Sequence, residues 1–239
     1  MAVIKRILPE ADHFATCPME GNILNYYKGL FDSVFVLLHP FIRPVSISKE
    51  LFKPETYPDR TSISIACDAV RWSNIMSITG LQSLAAIDVG LRTQIGGLNE
   101  KLANVEYAEC LSVLYDSHSI VQPDEGHFSD LLHDLILQCF QDLGHQWVWV
   151  GDEMGTERKL YWIDDLKTKD LNATAGHCNV FTTDKSLLWT THWDSHFSFL
   201  CGSYEVLARL VQRVNLEGFF CESDTEVYWS VQPPKMDVA

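Results

Sequence analysis

Asn179-Val180-Phe181-Thr182-Thr183 and Ser186-Leu187-Leu188-Trp189-Thr190-Thr191 read as two neighbouring β-strands about a Thr-Asp-Lys turn. Aliphatic, aromatic and threonine side chains fill both runs, which suits a pleated surface. Ser195 to Cys201 reads as a third strand. Gly202-Ser203 then opens a helix through Val214, with Val206, Leu207, Leu210, Val211 and Val214 recurring at helical spacing as its buried stripe. Gly218-Phe219-Phe220-Cys221 and Glu226-Val227-Tyr228-Trp229 complete the sheet. The last sixty residues or so thus spell β-β-β-α-β-β, an order that tight turns satisfy best with antiparallel pairing.

Upstream, Trp147-Val148-Trp149-Val150 is a strand ending in Gly151-Asp152-Glu153. The middle of the chain is helical. A helix runs from Ser129, a good N-cap, to the stop at Gly144, and another from Asn99 to about Ser117. Asp68 is placed to cap a helix carrying Val70, Trp72, Ile75, Met76 and Ile78 before Gly80. Ile63-Ser64-Ile65 is a weaker strand candidate. Val34-Phe35-Val36-Leu37-Leu38 is apolar without alternation, the pattern of a strand covered on both faces. Pro40, Pro44, Pro54 and Pro58 keep the following segment extended or looped. Residues 1–33, rich in turn formers and anchored by Tyr26, Tyr27 and Phe31, read as an irregular arm closing on a body. The fold class is α+β, with helices concentrated in the middle and a mostly antiparallel sheet with one helix in the C-terminal third. The expected organisation is one globular domain over residues 1–239.

The 239 residues are 46% hydrophobic and 21% charged, the balance of a packed globule. Seven scattered cysteines (17, 67, 110, 139, 178, 201, 221), with no Cys-x-x-Cys pair, argue against a disulfide framework or zinc ribbon and for reduced thiols. The first residues hold no apolar core of signal-peptide length, and no run is long enough to span a bilayer, so the expected location is cytoplasmic. A formal charge of −14 repels phosphate backbones and anionic lipids. Nucleic acid and membrane are therefore not expected partners, whereas a basic protein is electrostatically matched.

Chemistry-bearing residues concentrate in Thr191-His192-Trp193-Asp194-Ser195-His196. On a strand, His192, Asp194 and His196 at i, i+2, i+4 would share one face, and two imidazoles with a carboxylate suit a divalent transition metal. Asp152 or Glu153 would then be the general base of a metal-dependent hydrolase. The plainer reading is a set of hydrogen-bonded sheet residues with no cofactor. Gly90-Leu91-Arg92-Thr93-Gln94-Ile95-Gly96-Gly97-Leu98 lacks the Gly-Lys-Ser/Thr end of a phosphate loop, and reads as a structural loop with an inward-reaching arginine. Neither a Gly-x-Ser-x-Gly elbow nor a His-Glu-x-x-His helix occurs.

Tyr26-Tyr27-Lys28-Gly29-Leu30-Phe31 through Pro44, Gly90 to Leu98, Gly151-Asp152-Glu153 with Glu157-Arg158-Lys159, and Thr191 to Phe197 together carry a resemblance. The chain resembles, over most of its length, a domain-of-unknown-function family of Bacillus-type bacteria. That resemblance transfers no catalytic residue. The C-terminal arrangement with its acidic balance is also similar to small intracellular immunity proteins, a likeness of fold alone. The leading expectation is therefore a non-enzymatic binding protein, of immunity type against a basic partner, and the alternative is the metal-dependent hydrolase through His192, Asp194 and His196.

Overall fold

The computed structural model describes residues 10–168 and 173–227. In chain order, the strands are β1 (Gly21–Asn22), β2 (Ser33–Leu38), β3 (Phe41–Pro44), β4 (Cys67–Val70), β5 (Trp147–Asp152), β6 (Arg158–Trp162), β7 (Cys178–Thr182), β8 (Leu188–Thr191), β9 (Phe197–Gly202), β10 (Gly218–Phe220) and β11 (Glu226–Val227). The helices are α1 (Ile23–Tyr26), α2 (Arg60–Ala66), α3 (Trp72–Thr79), α4 (Leu84–Gln94), α5 (Val105–His118), α6 (Asp130–Asp142), α7 (Ile163–Thr168) and α8 (Tyr204–Val214). A seven-stranded sheet in the order β10-β2-β9-β8-β7-β5-β6 forms the centre, every neighbouring pair antiparallel. The chain is an α+β protein, as its sequence indicates. Tyr228 and Trp229 of the expected last strand lie outside the described residues.

Both faces of this sheet are covered, which explains the unalternating β2. Val34, Val36 and Leu38 join a core with Tyr27, Trp72, Ile75, Ile87, Leu91, Leu111 and Leu114. Phe35 and Leu37 point the other way, into a core with Ile136, Leu137, Phe140, Ile163, Leu166, Leu207 and Leu210. Successive strand residues alternate faces, so a strand between two helical layers is apolar throughout. The described part of the arm closes on the first layer: Tyr27 is fully buried and donates its hydroxyl to Thr16 O at 2.8 Å.

Several elements differ from expectation for identifiable reasons. Ile63-Ser64-Ile65 lies in α2, not in a strand; Asp59 caps it by accepting from Ser62 N at 2.7 Å, and the helical turn buries Ile63 while leaving Ile65 79% exposed. Asp68 belongs to β4, which pairs with β3, and does not cap α3. That helix is capped from far away, by Glu217, whose carboxylate accepts from Trp72 N at 2.6 Å and Ser73 N at 2.9 Å. No local pattern reveals a cap 145 residues distant. The helix expected from Asn99 starts at Val105, where Asn104 accepts from Tyr107 N.

Gly90 to Gln94 is the end of α4 and not a loop, although Arg92 does reach inward and is 2% exposed. A Cβ on Gly90 would stand 2.7 Å from Leu111 Cδ1 and 3.0 Å from Tyr107 O. Glycine is therefore there to let α4 and α5 approach.

Candidate functional site

Six of the nine histidines meet at the end of the sheet where β2 finishes, β7 begins and β8 turns into β9. His39 follows β2, its backbone N–H bonding His196 O at 3.0 Å and its Nε2 lying 3.0 Å from Ser198 Oγ. Ser198 Oγ also accepts from Trp189 Nε1 at 2.9 Å, and Trp189 stacks on Phe128 with ring centroids 3.7 Å apart. His177 Nδ1 donates to Gly126 O at 2.9 Å, while Gly126 N donates to Ser195 O at 2.9 Å. His177 also packs between the rings of His127 and Trp193. Gly126, at φ +65°, thus fastens the loop before α6 to two other loops.

The strand expected to present His192, Asp194 and His196 does not form. β8 ends at Thr191 and β9 starts at Phe197, so the three occupy the intervening turn. Ser195 Oγ lies 3.0 Å from His192 Nδ1, and Met19 O lies 3.2 Å from His192 Nε2, so both ring nitrogens of His192 have protein partners. The His196 ring is buried, and its Nδ1 has no hydrogen-bond partner among the described residues. Asp194 packs against Gly97 instead. Among the described residues no group of three or more His, Cys, Asp or Glu side chains is placed to hold a metal ion. Burial holds His39 and His196 down to about 3 and His192 to about 4, so all three rings are neutral at pH 7. Asp152 closes the β5–β6 turn, its carboxylate accepting from Thr156 N at 2.7 Å and from the Thr156 hydroxyl; Glu153 lies within that turn.

A different set does converge. Arg60, Asp124, His127, Phe128, Asp130, His133, Thr174, Ala175 and Gly176 line a pocket of about 160 Å³. Arg60 is the first residue of α2, and Asp130 the first residue of α6, following Ser129. His133 is one turn further along α6, facing the sheet. Arg60 is half-buried and held by Leu166 O, which accepts from Nη2 at 2.9 Å. Burial, reinforced by Asp124, pushes the Asp130 carboxyl up to about 6 despite the opposing pull of Arg60. Burial also raises Asp124, against the pull of His127 and a hydrogen bond with Tyr57. The same desolvation lowers His127 and His133, leaving both neutral at pH 7. This pocket combines concavity with perturbed titratable groups, the usual physical mark of a binding or reacting site.

Spacing does not mark these residues, because they come from three separate segments. One sequence cue does exist. Pro123-Asp124-Glu125-Gly126-His127-Phe128-Ser129-Asp130-Leu131-Leu132-His133-Asp134 packs four carboxylates and two imidazoles across a loop and one helical turn. Arg60 and Thr174 carry no comparable cue, since each is an ordinary residue until the fold brings it there.

The chain belongs to the family described as protein of unknown function (DUF2711), whose family model matches residues 19–231. It is also 23% identical over 215 residues to the uncharacterized protein YwbB of Bacillus subtilis (strain 168), covering 88% of this chain and 95% of that protein. The resemblance to a Bacillus-type family of unknown function is thereby confirmed. No solved structure matches. Among the described residues no helix is long and apolar enough to cross a membrane.

Proposed function

We propose that the protein is a binding protein whose pocket between α2, α6 and the loop before β7 takes a small organic cation bearing an amidinium, guanidinium or ammonium group. The observation that carries this reading is the pair Asp124 and Asp130, two carboxylates in one pocket, both pushed upward by burial. Removing carboxylates from water is costly unless a cation compensates. Arg60 compensates in part, yet Asp130 stays near 6. A cationic ligand supplies the missing charge, and Phe128 offers it an apolar wall.

The acidic-for-basic complementarity expected of the whole chain is here concentrated on one cavity, so a single basic group is enough to engage it. A basic protein partner of the immunity type would extend the same complementarity to the surface, supported by the charge of −14.

The test is isothermal titration of benzamidine against benzoate, two ligands of similar shape and opposite charge. Benzamidine is expected to bind and benzoate not. Asp130→Asn is expected to weaken benzamidine by roughly tenfold or more, the scale of one charge-assisted hydrogen bond. Preferential binding of benzoate would assign the pocket to Arg60 and an anion, and end the cation reading.

A further inference from the structure

The same pocket contains a directed hydrogen-bond chain that simple binding does not use. Thr174 Oγ1 lies 2.7 Å from His133 Nε2, and His133 Nδ1 lies 2.9 Å from Asp134 Oδ1. Arg60 Nη1 lies 3.3 Å from Thr174 Oγ1 on its other side. The direction of each bond follows from the inventory of donors and acceptors. A guanidinium can only donate, so Thr174 Oγ1 accepts from Arg60. An ionised carboxylate can only accept, so His133 donates from Nδ1 to Asp134. Burial keeps the imidazole neutral, so its single proton is on Nδ1, and Nε2 is a bare acceptor for the Thr174 hydroxyl. Although burial acts to raise Asp134, the bond from His133 and nearby cations hold it below the usual carboxylate range, which keeps it ionised.

We infer that Thr174 is a nucleophile, His133 its general base and Asp134 the residue positioning that base, in a site that transfers acyl groups from esters or amides carrying a cationic group. This inference rests on the cation reading of the pocket, because Asp124 and Asp130 hold the charged end of the substrate. Thr174 Oγ1 adds to the substrate carbonyl carbon while its proton passes to His133 Nε2. The tetrahedral oxyanion collapses, the bond to the alcohol or amine breaks, and that leaving group takes the proton from Nε2. The acyl group remains as an ester on Thr174. A water molecule then gives a proton to Nε2 as its oxygen adds to the acyl carbon, and the threonine oxygen leaves with that proton. The net change is ester or amide plus water to carboxylic acid plus alcohol or amine. Arg60, beside the same oxygen, offers positive charge to the oxyanion.

The probe is para-nitrophenyl para-guanidinobenzoate, a cationic activated ester, with neutral para-nitrophenyl acetate as comparison. Stopped-flow release of nitrophenolate is followed, and intact-mass and peptide mass spectrometry locate the acyl group. The expected result is a stoichiometric burst with the guanidinobenzoyl group on Thr174. It should be absent in Thr174→Val, present in Thr174→Ser, and slowed at least about a hundredfold in His133→Gln. Asp134→Asn is expected to slow acylation and shift the pH–rate profile, which loss of mere packing would not do. Acylation elsewhere, or a burst insensitive to His133→Gln, would overturn the inference. Benzamidine binding without acylation of the wild-type protein would also overturn it while leaving the cation reading intact; loss of both would remove the two together. Should Thr174→Val fail to fold, peptide mapping of the wild-type protein still decides the acylated residue.

Discussion

His196 shows how much a single buried side chain can say about solution behaviour. Its ring is held at about 3 by burial, whereas an unfolded chain leaves a histidine near 6.5. Between those values the unfolded state binds a proton that the folded state refuses, so stability falls as pH drops from about 6.5 toward 3. The His196 contribution is on the order of 2 kcal/mol at pH 5. Urea melts of wild type and His196→Gln at pH 8 and pH 5 check this: the wild type should lose roughly 2 kcal/mol more than the variant across that interval. Equal losses would show that His196 titrates normally. Gly126 makes a second residue-scale prediction. An added Cβ would meet the His177 ring at 2.3 Å and Trp193 O at 2.4 Å, at a left-handed φ of +65°. Gly126→Ala should cost more than about 2 kcal/mol and weaken benzamidine binding, both read from thermal melts with and without ligand.

At the scale of elements, α4 against α5 is the most exposed to test. Gly90→Ala should raise intrinsic helix propensity by about 1 kcal/mol, yet the near contacts with Leu111 and the Tyr107 carbonyl predict a net loss of roughly 1–3 kcal/mol in chemical denaturation. A stabilised variant would mean that the two helices can move apart at no cost. The same elements show what the sequence made legible. The sequence does not mark β6 or α7, and α6 follows from its apolar stripe, since the Ser129 side chain makes no capping hydrogen bond; β5, β7 to β9, the buried β2 and α8 with its Ser203 cap follow from local periodicity and caps. The start of α3 did not, because its cap is Glu217, and α4 was hidden because Gly90 and Gly96-Gly97 resemble a loop until α5 is placed beside them. The site was harder still. Residue spacing at His192 suggests a strand where the chain makes a turn, whereas Arg60, Asp130, His133 and Thr174 meet only through the packing of α2, α6 and the loop before β7.

For the whole molecule, a charge of −14 and a pocket holding two raised carboxylates point in one direction. On the proposed reading, long-range attraction draws cations toward the surface and the pocket holds those that fit. Benzamidine affinity should therefore fall with added salt and should rise from pH 5 to pH 7 as Asp130 ionises through about 6. The rise should vanish in Asp130→Asn. The measurement that bears most directly on this account is the titration of the Asp130 carboxyl by carbon-13 NMR, alone and saturated with benzamidine. The expected result is a midpoint near 6 in the free protein that drops into the ordinary carboxylate range when the cation is bound. A midpoint that starts in the ordinary range, or one that benzamidine leaves unchanged, would contradict it.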